Sequence, residues 1–355
     1  MRVKRCIFIA MAILLVVGLI LPLACAKPTP TPAPAPKPKL PEVVILTCLP
    51  AGAGQGARMV GIVEGANQFS PDMKIRIEPR EGDVAIFGPV LLGDAEFCNA
   101  TGPTTWDASN ARWPELGKAV LHRVWNGSPF VVGFATKADS GIETMADAKG
   151  RRIPSTPASK SWSDNNLAFL AYEGVTKDDV EIVTVPSIGA GYAGLGEGTI
   201  DACAATPFST TAVEIAASRH GLRWLSIPPD KEAWERVNAV RPSVVPIKVR
   251  KAAGLKEGEH FYGLGYTEGI WASPDLSDDV VYAFCDALKK GYPVYKDMEK
   301  SLPAWDWERA HSPDVLDLPY HNGFIKFLKD NGVWTPEHDA VQQRALKLEK
   351  ERQAK

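Results

Sequence analysis

Four loops carry residue types that bind small polar molecules. Gly52-Ala53-Gly54-Gln55-Gly56-Ala57 spells GxGxxA between a β-branched run, Val43 to Thr47, and a helix-like stripe of Met59, Val60, Ile62, Val63 and Ala66. Glycines placed there let backbone N–H groups approach an anion at a helix N-terminus. The same spelling is a dinucleotide fingerprint, and Glu78 ends the next strand at a suitable distance. Two features count against that reading. Cys48 to Ala51 separate strand and first glycine where the tight turn should follow at once, and the N-terminus directs the chain away from soluble NAD. A carboxylate suits the loop equally well. The second loop, Thr156 to Asn165, offers Thr156, Ser159, Ser161 and Ser163, one cation (Lys160) and one indole (Trp162) ahead of a helix. Hydroxyls, amides and Lys160 suit a carboxylate, and Trp162 would cover an apolar body; the plain alternative is a helix cap. Asn99-Ala100-Thr101-Gly102 and Thr206-Pro207-Phe208 follow strands in the same way, with polar turns as their plain alternative. The expected ligand-binding set is therefore Gly54, Gln55, Gly56, Asn99, Thr101, Thr156, Ser159, Lys160, Ser161, Trp162, Thr206 and Phe208.

Catalytic constellations are thin. His122, His220, His260, His311, His321 and His338 show no HExxH or paired metal spacing, and there is no GxSxG elbow. Asp178-Asp179 and Asp278-Asp279 read as helix-start charges, and Trp305, Trp307 and Trp334 as packing aromatics or an exposed docking surface. No enzyme, cofactor or metal is expected.

Charge and proline content are anomalous at one end. Residues 1–41 hold six basic and no acidic residues, which leaves 34 basic against 42 acidic in the remainder, a net of −8. A body of that sign is repelled by phosphate backbones, so nucleic acid is not an expected partner. Arg2, Lys4 and Arg5 precede an apolar run from Ile7 to Ala24, an export signal over residues 1–25 with an uncleaved anchor as its rival. Leu21-Pro22-Leu23-Ala24-Cys25 resembles a bacterial lipobox, with Cys25 as the lipidated residue, and Ala24-Cys25-Ala26 also fits ordinary signal cleavage. Seven of the 29 prolines lie between Pro28 and Pro41, so residues 26–41 form an extended spacer suited to a tethered protein. Cys48, Cys98, Cys203 and Cys285 are widely spaced beside apolar residues and are expected as buried thiols.

From Glu42 onward strand-like and helix-like segments alternate, the mark of an α/β chain. A first series runs to about Thr136. A second begins near Ser140 and repeats the βαβ logic through Ile227. Long apolar runs at 130–136 and 262–272 are candidate hinge strands between two lobes, 42–134 with 263–355 and 135–262.

Several blocks resemble a known family. Ala138-Asp139-Ser140-Gly141-Ile142, Met145 to Ile153, Gly174 to Val180, Gly196 to Ala202 and Leu276 to Tyr282 are similar, in order and spacing, to blocks of periplasmic solute-binding proteins. With the lipoprotein-like signal they resemble the TAXI family, solute receptors of TRAP transporters. The resemblance implies a type II periplasmic binding fold: two lobes, each a mixed sheet flanked by helices, with the ligand in the interlobe cleft. It also implies hinge closure on a carboxylate-bearing organic anion or amino acid, delivery to a TRAP permease, and an extracytoplasmic, lipid-tethered location. The alternative on the same fold is the receptor of an ABC importer of nitrate, sulfonate or thiamine-precursor type. A periplasmic enzyme or a sensory domain stands further off.

Overall fold

The computed structural model describes residues 39–51, 54–207, 209–242, 244–313 and 318–354. The signal, Cys25, nearly all of the spacer, Gly52, Ala53 and Phe208 lie outside the described residues.

The first series is β1 (Val43–Cys48), α1 (Gly54–Asn67), β2 (Lys74–Pro79), α2 (Asp83–Leu92), β3 (Phe97–Thr101) and α3 (Gly102–Ser109), followed by the long strand β4 (His122–Lys137). The second is β5 (Arg152–Ser155), α4 (Lys160–Ala171), β6 (Glu181–Thr184), α5 (Ile188–Glu197), β7 (Ala202–Ala205), α6 (Thr210–Ala217), β8 (Leu222–Leu225), α7 (Lys231–Val240) and β9 (Val245–Val249). The chain returns along β10 (Phe261–Ala272) and ends in α8 (Asp278–Tyr295), α9 (Trp307–Ala310), α10 (Asn322–Asp330) and α11 (Pro336–Ala354).

Strand alternation places the cores. In β1, Val44, Leu46 and Cys48 enter one cluster with α1, α8 and α10, while Ile45 faces a second cluster with Ile86 and Phe87 of α2. In the second series Phe134, Ala202 and Ala204 face one cluster with Phe169 and Leu170 of α4, and Ala135, Cys203 and Ala205 face another with Ile215. Each sheet region is thus covered on both faces, which gives the two-lobed fold with a mixed sheet in each lobe.

Two strands join these regions. β1 runs parallel to β2 and β3; β10 is antiparallel to β3, β4 and β9; β4 is antiparallel to β7 and β8. Val124 and Trp125 of β4 pack in the first core, and Val132 and Phe134 in the second. Returning along β10, Leu264 and Tyr266 belong to the second core and Ile270 to the first. The β4–β10 register shifts between Thr267 and Gly269 and again between Ile270 and Trp271. Such bulges bend a ladder where two cores meet.

Other sequence expectations meet local physics. Met59, Ile62, Val63 and Ala66 of the expected stripe are buried on α1, whereas Val60, off that face, is 45% exposed. Ser140 to Gly150 forms a single 3-10 turn at Ala146–Ala148, with Asp147 accepting the Glu143 and Thr144 N–H groups. Cys48, Cys98, Cys203 and Cys285 are buried free thiols, and burial pushes Cys48 and Cys203 up to about 12. Trp305 is fully buried, and Trp307 and Trp334 pack on Trp125 and Tyr320. Among the described residues no helix is long and apolar enough to cross a membrane, and no His/Cys/Asp/Glu cluster could hold a metal.

The α1–α8 crossing brings two helix backbones into close approach. A Cβ on Gly291 would stand 2.8 Å from Ala66 N and 2.8 Å from the Gly65 carbonyl carbon, backbone atoms that cannot swing aside. Gly291→Ala is therefore expected to lower the urea midpoint at unchanged m-value, by about 1–3 kcal/mol of stability. An unchanged midpoint would refute the close-packing account.

Candidate functional site

A cavity opens between the two halves, with about 490 Å³ of space inside it, its open mouth included. Its first wall comes from the β1–α1 region (Leu49, Gln55), the start of α2 (Asp83, Ile86, Phe87), β3 (Asn99, Ala100, Thr101) and Thr104 of α3. Its second wall comes from Ser159, Ser161, Trp162 and Asn165 around the start of α4, Ile188 of α5, and Arg241 just past α7. Phe130 and Tyr266, stacked at 5.3 Å on the two connecting strands, form the floor between them.

Six expected residues therefore line one cavity: Gln55, Asn99, Thr101, Ser159, Ser161 and Trp162. Five do not, for local reasons. Gly54 is exposed at the first turn of α1. Gly56 serves packing: a Cβ there would lie 2.2 Å from both the Leu49 and Pro50 carbonyl oxygens. Thr156 is consumed within its own loop, its N–H donating to Ser163 Oγ at 2.8 Å and its carbonyl accepting from the same hydroxyl at 3.2 Å. The Lys160 side chain is 48% exposed and lies 4.0 Å from Asp164, so its charge is aimed along the α4 surface. The Thr206 N–H donates to the Tyr192 hydroxyl at 3.3 Å. Phe208 is outside the described residues.

The residues that dominate the site electrostatically were missed. Asp83 opens α2, and its carboxylate crosses the cleft to accept the Ser161 N–H and the Ser161 hydroxyl, both at 3.0 Å. Beside it the backbone comes into direct contact across the cleft, since a Cβ on Gly82 would stand 2.3 Å from the Ala158 carbonyl oxygen. Burial raises Asp83 to about 6, against the lowering effect of the Ser161 hydrogen bonds and the Arg241 charge.

Arg241 is 1% exposed and ion-paired to Asp107 of α3, itself 1% exposed. It also donates to Asn165 Oδ1 and Thr104 Oγ1, each at 3.2 Å. Arg112 straps the pair from outside, meeting Asp107 at 3.2 Å, the Val240 carbonyl at 3.2 Å and Asp164 at 3.4 Å. Burial pushes the Asp107 carboxyl up, while the Arg241 and Arg112 guanidiniums act in the opposite sense. A second buried pair, Arg58–Glu268, sits where β10 bulges, with Arg58 5.6 Å from the Phe130 ring centre. Asn99 donates to the Gly269 carbonyl at 3.0 Å, and its buried Oδ1 has no partner.

A family model described as the NMT1-like family matches residues 56–332. The chain belongs to that family. The expectation of a TAXI receptor serving a TRAP permease is corrected by this match. The blocks that suggested TAXI lie within the NMT1-like match, and they encode turns and caps. Gly174 and Gly198 hold positive φ at chain reversals, Asp179 closes a capping box with Thr176, and Asp201 accepts the Arg152 backbone and side chain. Such features belong to the fold and do not report which membrane partner it serves.

Solved structures with this fold are distant in sequence. A structure described as a periplasmic transporter matches with a TM-score of 0.50 at 17% identity, over 84% of this chain and 95% of that one. PhnD1 from Prochlorococcus marinus (MIT 9301), in complex with methylphosphonate, matches at 0.49 and 12% identity over 82% and 99%. The alkanesulfonate-binding SsuA of Xanthomonas axonopodis pv. citri, bound to MOPS, matches at 0.48 and 18% identity over 86% and 83%.

Two outcomes follow for the NMT1-like site. Replacing Arg241 alone by Met strands the buried Asp107 carboxylate and is expected to cost about 3–5 kcal/mol, whereas the double variant Arg241→Met/Asp107→Leu regains most of it; equal losses in both would refute the pairing. For Asp83, the folded chain holds the proton more tightly than the unfolded chain between the ordinary carboxylate range and about 6. Stability from this group therefore falls as pH rises through that window, by on the order of 3 kcal/mol in full. The stability of Asp83→Asn relative to wild type should accordingly shrink between pH 7.5 and pH 5 in thermal melts, and parallel curves would contradict the buried-charge account.

Proposed function

We propose that this chain is the solute-binding protein of an ABC importer: it captures a small organic solute in the cleft by hinge closure and presents it to a membrane permease, without catalysis. Family membership supports the importer class. The observation that carries the mechanism is the shared cavity wall, in which Asp83 and Thr104 come from one side and Ser161 and Arg241 from the other. A ligand seated there touches both halves, so only the closed arrangement receives its full interaction energy. The side chains lining it are hydrogen-bonding and aromatic groups suited to holding a solute.

We assign lobe I to 42–134 with 263–355 and lobe II to 135–262, with β4 and β10 as the hinge; the core change between Trp125 and Val132 and the paired bulges of β10 support this. The protein acts outside the cytoplasm, held by a lipid on Cys25, with residues 26–41 as its spacer.

Closure depends on Gly82 meeting Ala158 without a side chain. Gly82→Ala should leave solution scattering at the open radius of gyration when solute is added and should weaken solute binding at least tenfold; full compaction in that variant would sink the mechanism. Cys25→Ser should release the protein from the membrane fraction, and unchanged association would refute the lipid tether.

A further inference from the structure

We propose that the cleft takes a small organic cation, an ammonium or amidinium group on an apolar or aromatic body, with Asp83 as the receiving carboxylate. This rests on the solute-receptor reading above and names the ligand class for the same cavity.

Charge pairing on the cavity wall carries the argument. Arg241 is neutralised by Asp107, Arg112 by Asp107 and Asp164, and Arg58 by Glu268. Of the two charged residues that line the cavity, Arg241 is ion-paired, whereas Asp83 has no opposite charge in ion-pair contact among the described residues. It is nine-tenths buried, and its two contacts are the N–H and hydroxyl of one residue, Ser161. Those bonds fix the direction of the carboxylate and use only part of its acceptor capacity, because each oxygen can accept twice. A buried carboxylate of this kind is a strong acceptor for a charged N–H donor.

Asn99 points to the same chemistry independently. Its amide orientation is set by the donation from Nδ2 to the Gly269 carbonyl, which leaves Oδ1 on a residue 2% exposed as an acceptor with no partner among the described residues. Two buried acceptors on one cavity wall call for a ligand that brings donors. Around them Leu49, Ile86, Phe130, Trp162, Ile188 and Tyr266 supply apolar surface for the body of the ligand. The sequence expectation of a carboxylate held by Lys160 and the loop amides meets Asp83 on the α4 amide that a carboxylate would use, and finds Lys160 off the wall.

The test uses the full chain in detergent with matched probes: benzylamine, benzyl alcohol and benzoate, then butylamine, butanol, butyrate and butanesulfonate. Thermal shift and calorimetry are read for wild type, Asp83→Asn, Asn99→Ala and the exposed control Asp275→Asn. The expected result is that the amines raise Tm and the matched alcohols and acids do not, that Asp83→Asn weakens amine binding at least tenfold and Asn99→Ala several-fold, and that Asp275→Asn matches wild type. Binding of the acids or the sulfonate with the amines silent overturns the cation assignment and leaves the receptor standing. Amine binding that Asp83→Asn leaves unchanged overturns it as well. No shift from these probes or from a wider panel of sulfonates, phosphonates and amino acids removes the receptor reading together with the inference.

Discussion

The cleft is organised around the buried ion pair of Asp107 with Arg241, reached from opposite sides. Neither partner keeps appreciable contact with water, and removing two charges from water is costly unless they meet in good geometry with their remaining donors satisfied. Asn165, Thr104 and Arg112 provide that satisfaction, and they too come from both sides. The pair can therefore be complete only when the halves are together. The Gly82–Ala158 backbone contact and the Asp83–Ser161 hydrogen bonds sit close by and depend on the same approach. These contacts lie side by side in one region of the cleft.

That arrangement explains why Asp83 stands out. Among the described residues, Arg241, Asp107, Arg112, Asp164, Arg58 and Glu268 are paired within the protein. Asp83 is oriented by Ser161 and left with its charge uncompensated by any ion pair, the arrangement suited to a group that an incoming solute completes. The Phe130–Tyr266 floor lies on the two connecting strands, so a ligand resting there touches the segments that join the two cores.

Much of this architecture could be read directly from the residue pattern. β4 and β10 announced themselves as long apolar runs because a strand shared by two cores is buried along most of its length. The acidic start of α8 was equally plain, since helix-end charges are local. Half of the expected ligand set lines the cavity because loops that follow strands and open helices converge at a sheet edge. The two elements bearing the central pair were not read. α3 is buried on nearly every side, so it shows no amphipathic stripe. α7 does carry one, Ala233, Trp234 and Val237 behind an Asp230 cap, and that signal could have placed Arg241 at a helix end. Pairing between residues 134 positions apart leaves no mark in periodicity. The transporter class was misread for a related reason: the blocks that matched were turns and caps, which any receptor of this fold needs.

The charge of the whole body bears on the ligand in the same sense as the site does. Outside its N-terminal 41 residues the chain carries a net of −8, a field that repels anions and draws cations toward an open cleft. At physiological salt that field fades within about 8 Å of the surface, so it guides approach and cannot hold a ligand. Retention falls to contacts inside the cavity, where burial weakens screening and Asp83 and the Asn99 oxygen act at close range. An anion would have to overcome repulsion at both stages and then displace the Asp83 carboxylate from Ser161. A cation meets attraction at both, and on arrival it supplies the one charge that the closed wall lacks.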